Sequence, residues 1–267
     1  MADRQSAPRE EIRIGTTPVF LDDHLSLLSV WQKYLEERLE RKVGFARRRS
    51  YQEITDLLLS GQLDAAWVCS PPYLMNLSHL RLLCVPVYEG KPLYRSYLIV
   101  QSEDTRTRHI SDLRGHIYAF SDPQSNSGCL VPRVELHHAK ETPNRFFLKS
   151  FFTFSHRRVV DAVALGLAHG GSVDGYVWDT MRKQIPKTTE GTRVAWKSRE
   201  YGFPPIVARR SLPERDFQSL QGAFVSMHDD PAGSALLQQL NLDGFERGTH
   251  KLFASVEANL RLVGDLL

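Results

Sequence analysis

Three short apolar runs, IRIGTT (12–17), KVGFARR (42–48) and LDAAWVC (63–69), are separated by two stretches with helical spacing. The first of these stretches, around 24–41, places Leu25, Leu28, Trp31, Leu35 and Leu39 three and four residues apart. The second runs from Tyr51 to Ser60 and meets Gly61, a helix-stopping residue. Strand, helix, strand, helix, strand in this order predicts a parallel sheet covered by helices. Residues 1–11 precede the pattern and read as a disordered lead.

A second unit of the same kind begins near Tyr94. YRSYLIVQ (94–101) and HIYAFS (116–121) read as strands, with ISDLRG (110–115) as a short capped helix between them. A helix is expected through Val134 to about Lys140. SHRRVVDAVALGLA (155–168) is amphipathic, with Val159, Val160, Val163, Leu165 and Leu167 as its apolar face. SVDGYVWD (172–179) reads as a buried strand with a polar end. Past TRVAWKSREYGFPPIVARR (192–210) the chain turns helical, and Pro213 suits a first helical turn. At 267 residues the chain exceeds one ordinary core, so two α/β lobes with a cleft between them are expected. Ligands in open α/β sheets lie beyond the carboxyl ends of the strands, which gathers Thr16-Thr17, Cys69-Ser70, the Ser125 loop and Asp179 in one region.

Composition narrows the function classes. A formal net charge of +3 is too mild to argue for nucleic acid, although Arg47-Arg48-Arg49 and Arg209-Arg210 form local basic runs. No apolar run is long enough to span a membrane. The three cysteines, Cys69, Cys84 and Cys129, lack metal-site spacing and cannot all pair with one another. No nucleophile elbow, zincin, Walker or dinucleotide motif is present, so neither an enzyme nor a cofactor is expected. His137-His138 and the HDD at 228–230 are adjacent residues that point in different directions, and both are assigned to the surface.

The densest chemistry lies in SDPQSNSGCLVPR (121–133). Helix-initial N–H groups have no intrahelical partner, and the hydroxyls of Ser125 and Ser127 can donate beside them. With the positive end of the helix dipole and a Gly128 that permits close approach, this is an anion cradle that needs no lysine. Locally the same residues also read as an ordinary N-cap, since serine and asparagine are preferred there.

DPQSNSGCLVPR resembles the Asp-Pro-x-Ser-x-Ser-Gly-x-Leu-Val-Pro signature of the phosphate/phosphite/phosphonate solute-binding proteins of ABC transporters. SYQEITDLLLSGQLDAAWV (50–68), GKPLYRSYLIV (90–100), FSHRRVVDAVALGLAHGGSVDG (154–175) and YGFPPIVARRSLP (201–213) agree in order and spacing, so the resemblance covers roughly 12–245. It implies a two-lobed type II periplasmic-binding fold, α/β, with a mixed sheet flanked by helices in each lobe and two hinge crossings. Lobe 1 would then comprise 12–93 plus 203–267, and lobe 2 would comprise 94–202. A hinge closes the lobes on the ligand. The implied protein is a monomer in the periplasm, with a signal peptide removed, and it delivers a small oxyanion to a permease. A sensor-kinase periplasmic domain is the alternative partner. A cytoplasmic location stays open from the sequence alone.

By position, the resemblance assigns Ser125, Asn126, Ser127 and Gly128 to the oxyanion, with Asn126 standing where threonine is common. His156 falls on a cleft histidine, whose charged form a nearby anion would favour. Tyr51 and Tyr94 match aromatic positions that supply phenol hydroxyls, and Asp179 aligns with a cleft acid or else caps a helix. Cys69 and Ser70 lie at the end of a lobe 1 strand. Two departures bear on the ligand. Aminophosphonate binders carry a carboxylate where this chain has Phe203-Pro204-Pro205, and an ammonium buried without a countercharge is costly, which disfavours an aminophosphonate and leaves Asp179 alone to pair with one. Sulfur is the other: relatives that bind arsenite use a cysteine thiolate, so Cys69, Cys84 or Cys129 offers a thiophilic alternative, against the commoner role of buried filler. An enzyme on the same fold, using His156 with Cys69, is the remaining alternative.

Overall fold

The computed structural model describes residues 11–17 and 25–264. Residues 1–10 of the expected lead lie outside the described residues, and Glu11 already opens the first strand. In chain order the first elements are β1 (Glu11–Thr16), α1 (Leu25–Leu39), β2 (Lys42–Arg47), α2 (Tyr51–Leu59), β3 (Ala65–Trp67), α3 (Ser70–Met75) and β4 (Leu80–Val87). The middle of the chain forms β5 (Leu93–Gln101), β6 (Ile117–Phe120), α4 (Val131–His138), α5 (Pro143–Phe146) and β7 (Lys149–Phe152). It continues with α6 (His156–Ala164), β8 (Gly170–Asp174), α7 (Gly175–Gln184) and β9 (Thr192–Gly202). The last third holds β10 (Ile206–Arg209), α8 (Glu214–Val225), α9 (Pro231–Leu240), β11 (Gly244–Glu246) and α10 (Ala254–Val263).

These strands form two mixed sheets, ordered β11-β4-β10-β3-β1-β2 and β7-β6-β8-β5-β9. The expected parallel trio β2-β1-β3 is present, and β10 adds to it antiparallel from far along the chain. In the second sheet β6 pairs parallel with β7 and β8, while β5 runs antiparallel to β8 and β9. The chain passes between sheets twice. One passage is the turn at Tyr88–Lys91 and the other is the Phe203-Pro204-Pro205 segment, and they are held side by side by the β5–β9 pairing at Leu93↔Gly202 and Tyr94↔Tyr201. Pro204 and Pro205 lack N–H groups and cannot extend a ladder, so β9 ends where they begin.

Each sheet has an aromatic core. Trp31 of α1 packs on Trp67, Phe224 and Phe245 in the first. In the second, Tyr118 stacks on Phe147 with ring centroids 4.4 Å apart. The C-terminal α10 lies against α3 of the first unit and against α4 and β9 of the second, so the tail expected to belong to one lobe touches both.

Several local expectations are corrected. Helix α6 stops at Ala164 because Gly166 adopts a left-handed φ of +72°, so Leu165 and Leu167 leave the apolar face and are 74% and 61% exposed. The strand expected over 172–179 ends at Asp174, whose carboxylate accepts from Tyr176 N at 2.9 Å and starts α7. Asp179 therefore sits in the middle of a helix and caps nothing. The helix expected from Val134 begins at Val131, continuous with a wide π-type turn at Asn126–Leu130. The short helix at 110–115 is a 3-10 turn over Ile110–Leu113.

Candidate functional site

Five helix or turn starts converge where the two sheets face each other. From the first unit come Tyr51 at the start of α2 and Cys69-Ser70 at the start of α3. The second unit supplies the Ser125–Gly128 turn, His156 at the start of α6 and Asp174 at the start of α7. Their N-terminal dipole ends contribute positive potential without a lysine or arginine among these residues. Tyr51, Cys69, Ser70, Tyr94, Ser125, Asn126, Ser127, His156 and Asp174 are all buried. Thr16 and Thr17 are buried at the end of β1, and Thr17 Oγ1 donates to Trp67 O at 3.2 Å.

The serine-rich turn is built around Ser125. Its Oγ accepts from Gly128 N at 3.0 Å, the N-cap bond that the local pattern also allowed. Gly128 is obligatory, because a Cβ there would lie 1.8 Å from Ser121 Oγ. Ser96 Oγ of β5 holds the turn from behind by donating to Ser127 O at 2.7 Å. Asn126 N–H donates to Cys69 Sγ at 3.2 Å, and Asn126 Nδ2 donates to the Tyr94 hydroxyl at 2.9 Å. Two backbone amides expected to face an anion, those of Asn126 and Gly128, are thus engaged within the protein. The side chains are different. Ser127 Oγ faces the Tyr94 hydroxyl outside hydrogen-bond geometry. Among the described residues, the buried side-chain N and O atoms without a hydrogen-bond partner are Trp31 Nε1, Ser121 Oγ, Gln124 Oε1, Asn126 Oδ1 and Ser127 Oγ. All but the first belong to this one loop, and such atoms are rare in folded proteins, where a water, an ion or a ligand normally meets them.

His156 is placed by its own α6 and by β8. Its Nδ1 accepts from Asp174 N at 3.1 Å, and its Nε2 lies 3.3 Å from the Tyr51 hydroxyl. Burial lowers its pKa to about 3, so the imidazole is neutral in the ligand-free protein. Burial likewise pushes the Tyr51 and Tyr94 phenols well above their ordinary value. The Cys69 thiol is pushed up to about 12 by burial. Cys84 is buried in β4 opposite Ile206, and Cys129 lies among Tyr118, Phe120 and Leu136. The cysteines therefore do not share a site, and no cluster of three metal-ligating side chains occurs among the described residues.

Asp179 makes no hydrogen bond to the residues of the cluster but stands next to it: its Oδ2 accepts from Tyr97 OH at 2.7 Å, and Tyr97 lines a cavity of about 170 Å³ together with Tyr94 of the cluster, Tyr88, Tyr176 and Lys197. The carboxylate that does reach the cluster is Asp174, which the sequence reading missed. Burial raises its pKa to about 8. The available signal was an aspartate at a strand end followed by a helical run, a preferred N-cap. Asp122 was missed as well: it is buried, and Tyr51 N donates to its Oδ2 at 3.2 Å. At the position of the missing second carboxylate, Phe203 packs on Tyr94 and Tyr176, with centroids 5.6 and 5.0 Å away.

Comparison with solved structures gives the same architecture. The methylphosphonate complex of PhnD1 from Prochlorococcus marinus (MIT 9301) superposes with a TM-score of 0.84 at 19% identity, covering 94% of this chain and 97% of that one. The binding-protein component of a phosphonate ABC transporter from Pseudomonas aeruginosa also gives 0.84 at 19% identity, over 94% of this chain and 86% of its own. These likenesses establish the two-lobed type II periplasmic-binding fold. The phosphate-import protein PhnD of Mycolicibacterium smegmatis is 26% identical over 160 residues, 56% of this chain. That match spans about half, 49%, of the curated relative's length. The model of the family described as "ABC transporter, phosphonate, periplasmic substrate-binding protein" matches residues 14–253, and the chain belongs to that family.

Proposed function

We propose that the chain captures a small tetrahedral oxyanion of the phosphonate, phosphite or phosphate class between its lobes and delivers it to an ABC permease from the periplasm. The observation that carries this reading is the concentration of partnerless buried polar atoms in the 121–127 loop, whose Asn126 and Ser127 side chains stand beside the Tyr94 hydroxyl at the junction of five helix or turn starts. Neutral donors and helix dipoles suit an anion that must be released again, because they stabilise it without a fixed countercharge. Ser125, Asn126, Ser127, Tyr51, Tyr94 and His156 are the proposed ligand residues, with Gly128 shaping the turn.

The geometry favours a ligand without an ammonium group. Phe203 and Tyr176 present rings where a second carboxylate would be needed, and Asp174, with its pKa raised to about 8, is largely neutral near pH 7. The arsenite alternative draws no support, since it needs a thiolate and burial keeps the Cys69 thiol protonated. Among the described residues no helix is long and apolar enough to cross a membrane.

Calorimetric titration with phosphate, phosphite, methylphosphonate, 2-aminoethylphosphonate, sulfate and arsenite tests the proposal. Saturable binding of one of the first three, unchanged in Cys69→Ser, is the expected result. Binding of arsenite alone, or of no oxyanion, would refute it.

A further inference from the structure

Helix α2 starts with a reciprocal capping box. Ser50 Oγ accepts from Glu53 N at 3.3 Å, while the Glu53 carboxylate accepts from Ser50 N at 3.2 Å. The box leaves Tyr51, the first helical residue, with an N–H that no residue of its own helix can satisfy. Asp122 satisfies it from the other unit. Asp122 follows β6 in the second sheet, whereas α2 belongs to the first. Its Oδ2 accepts from Tyr51 N at 3.2 Å, and its Oδ1 accepts from Gln124 N at 2.8 Å inside its own loop. The carboxylate is 2% exposed, and Asp122 O also accepts from Ser125 N at 2.9 Å.

A carboxylate buried next to an anion site is electrostatically unfavourable, so its presence calls for a function that only a carboxylate performs. Both N–H groups it meets are donors, and they come from opposite sides of the cleft. Only a side chain with two acceptor oxygens serves both. Asparagine would turn an NH₂ toward one of them, donor against donor. The same two bonds fix the two halves of the proposed oxyanion site: one holds the serine turn, and the other holds the residue that carries the Tyr51 phenol.

We infer that Asp122 is a positioning residue that joins the lobes in the closed form, capping α2 across the cleft and so setting Tyr51 against the Ser125–Ser127 turn. It touches no ligand. The inference rests on the proposed oxyanion function for its effect on affinity, but the contact itself can be read without any ligand.

The test is amide hydrogen exchange on the full-length chain by NMR, with and without methylphosphonate or phosphate, alongside calorimetry. The Tyr51 amide has no helical partner, so its protection reports on Asp122, whereas Leu58 in the same helix reports on the fold. We expect the Tyr51 amide to be protected in the wild type and more so with the probe. In Asp122→Asn its protection should vanish while Leu58 stays protected, and Kd should rise about tenfold, as for a lost hydrogen bond to a charged group. A Tyr51 amide exchanging at its unprotected rate in the probe-saturated wild type overturns the inference, as does unchanged affinity in Asp122→Asn. If Leu58 protection is lost too, the variant has lost its fold, and the wild-type Tyr51 rate decides. Should the wild type bind neither probe nor phosphite, the functional reading fails, and the Tyr51 rate still judges the contact.

Discussion

The backbone N–H of Asp174 donates to Nδ1 of His156 at 3.1 Å, which leaves the single proton of the neutral ring on Nε2, 3.3 Å from the Tyr51 oxygen. Nε2–H donates to that oxygen, and the Tyr51 O–H is free to donate onward. The relay passes orientation from a strand end to a phenol without any charge. Protonating Nδ1 would break it, and burial already holds the ring's pKa down to about 3.

A stability slope follows from that depressed value. The unfolded chain takes up the imidazole proton near its ordinary 6.5, the folded one only near 3. Between these values the unfolded state binds more protons, so His156 makes the protein less stable as pH falls from about 6.5 toward 3. His156→Gln keeps a donor near the Nε2 position and should remove up to one proton from the pH dependence of unfolding, measured by denaturant titration at several pH values. An unchanged slope would refute the neutral-histidine account.

Asp174 acts with the opposite sign. Its folded pKa is raised to about 8 by burial from an ordinary 3.8, so the folded state retains a proton that the unfolded chain releases. Its contribution is fully present below about 4 and is lost as pH rises toward 8. From about 4 to 6.5 the two slopes offset each other, and from 6.5 to 8 Asp174 acts alone. Above 8 its carboxylate would also repel a bound anion. Asp174→Asn keeps an oxygen to accept from Tyr176 N, and should flatten both the stability loss and the fall in methylphosphonate affinity at alkaline pH.

Gly128 is fixed by contact. An added Cβ would lie 1.8 Å from Ser121 Oγ and 2.6 Å from Ser121 Cβ. Gly128→Ala should cost about 1–3 kcal/mol, the usual range for overpacking, seen as a lowered Tm. The double variant Gly128→Ala, Ser121→Gly removes both clashing atoms and should recover most of the loss. Ser121→Ala, which keeps the Cβ, should not.

What the sequence revealed, and what it hid, follows from range. The alternation of β1, α1, β2, α2 and β3 is carried by local apolar spacing, and so is the capping box at Ser50 and Glu53. The antiparallel insertion of β10 beside β3 joins residues more than a hundred positions apart, and no local pattern encodes it. The same holds at the site. Ser125, Asn126, Tyr51, Tyr94 and His156 come together as the motif order suggested. The resemblance and the end of an apolar run both point to Asp179, whereas the carboxylate that the structure sets beside His156 is that of Asp174. Only the helix period from Gly175 onward distinguishes the two. Asp122 escaped notice because its partner, the Tyr51 amide, belongs to the other sheet.

Ser127 offers the sharpest separation of ligand binding from folding. Its hydroxyl is buried beside that of Tyr94, near enough to act on it, without closing a hydrogen bond of good geometry. A hydroxyl in that state carries a desolvation cost without return, so Ser127→Ala should leave the ligand-free protein as stable as before, or slightly more so. If the hydroxyl donates to an oxyanion, the same change should weaken binding by about 1–3 kcal/mol. The two effects have opposite signs and are read separately, as the Tm of the free protein and as Kd by calorimetry. A variant that loses stability and affinity together would mean that the serine is structural. One that retains full affinity for a confirmed ligand would remove the 125–127 turn from the site.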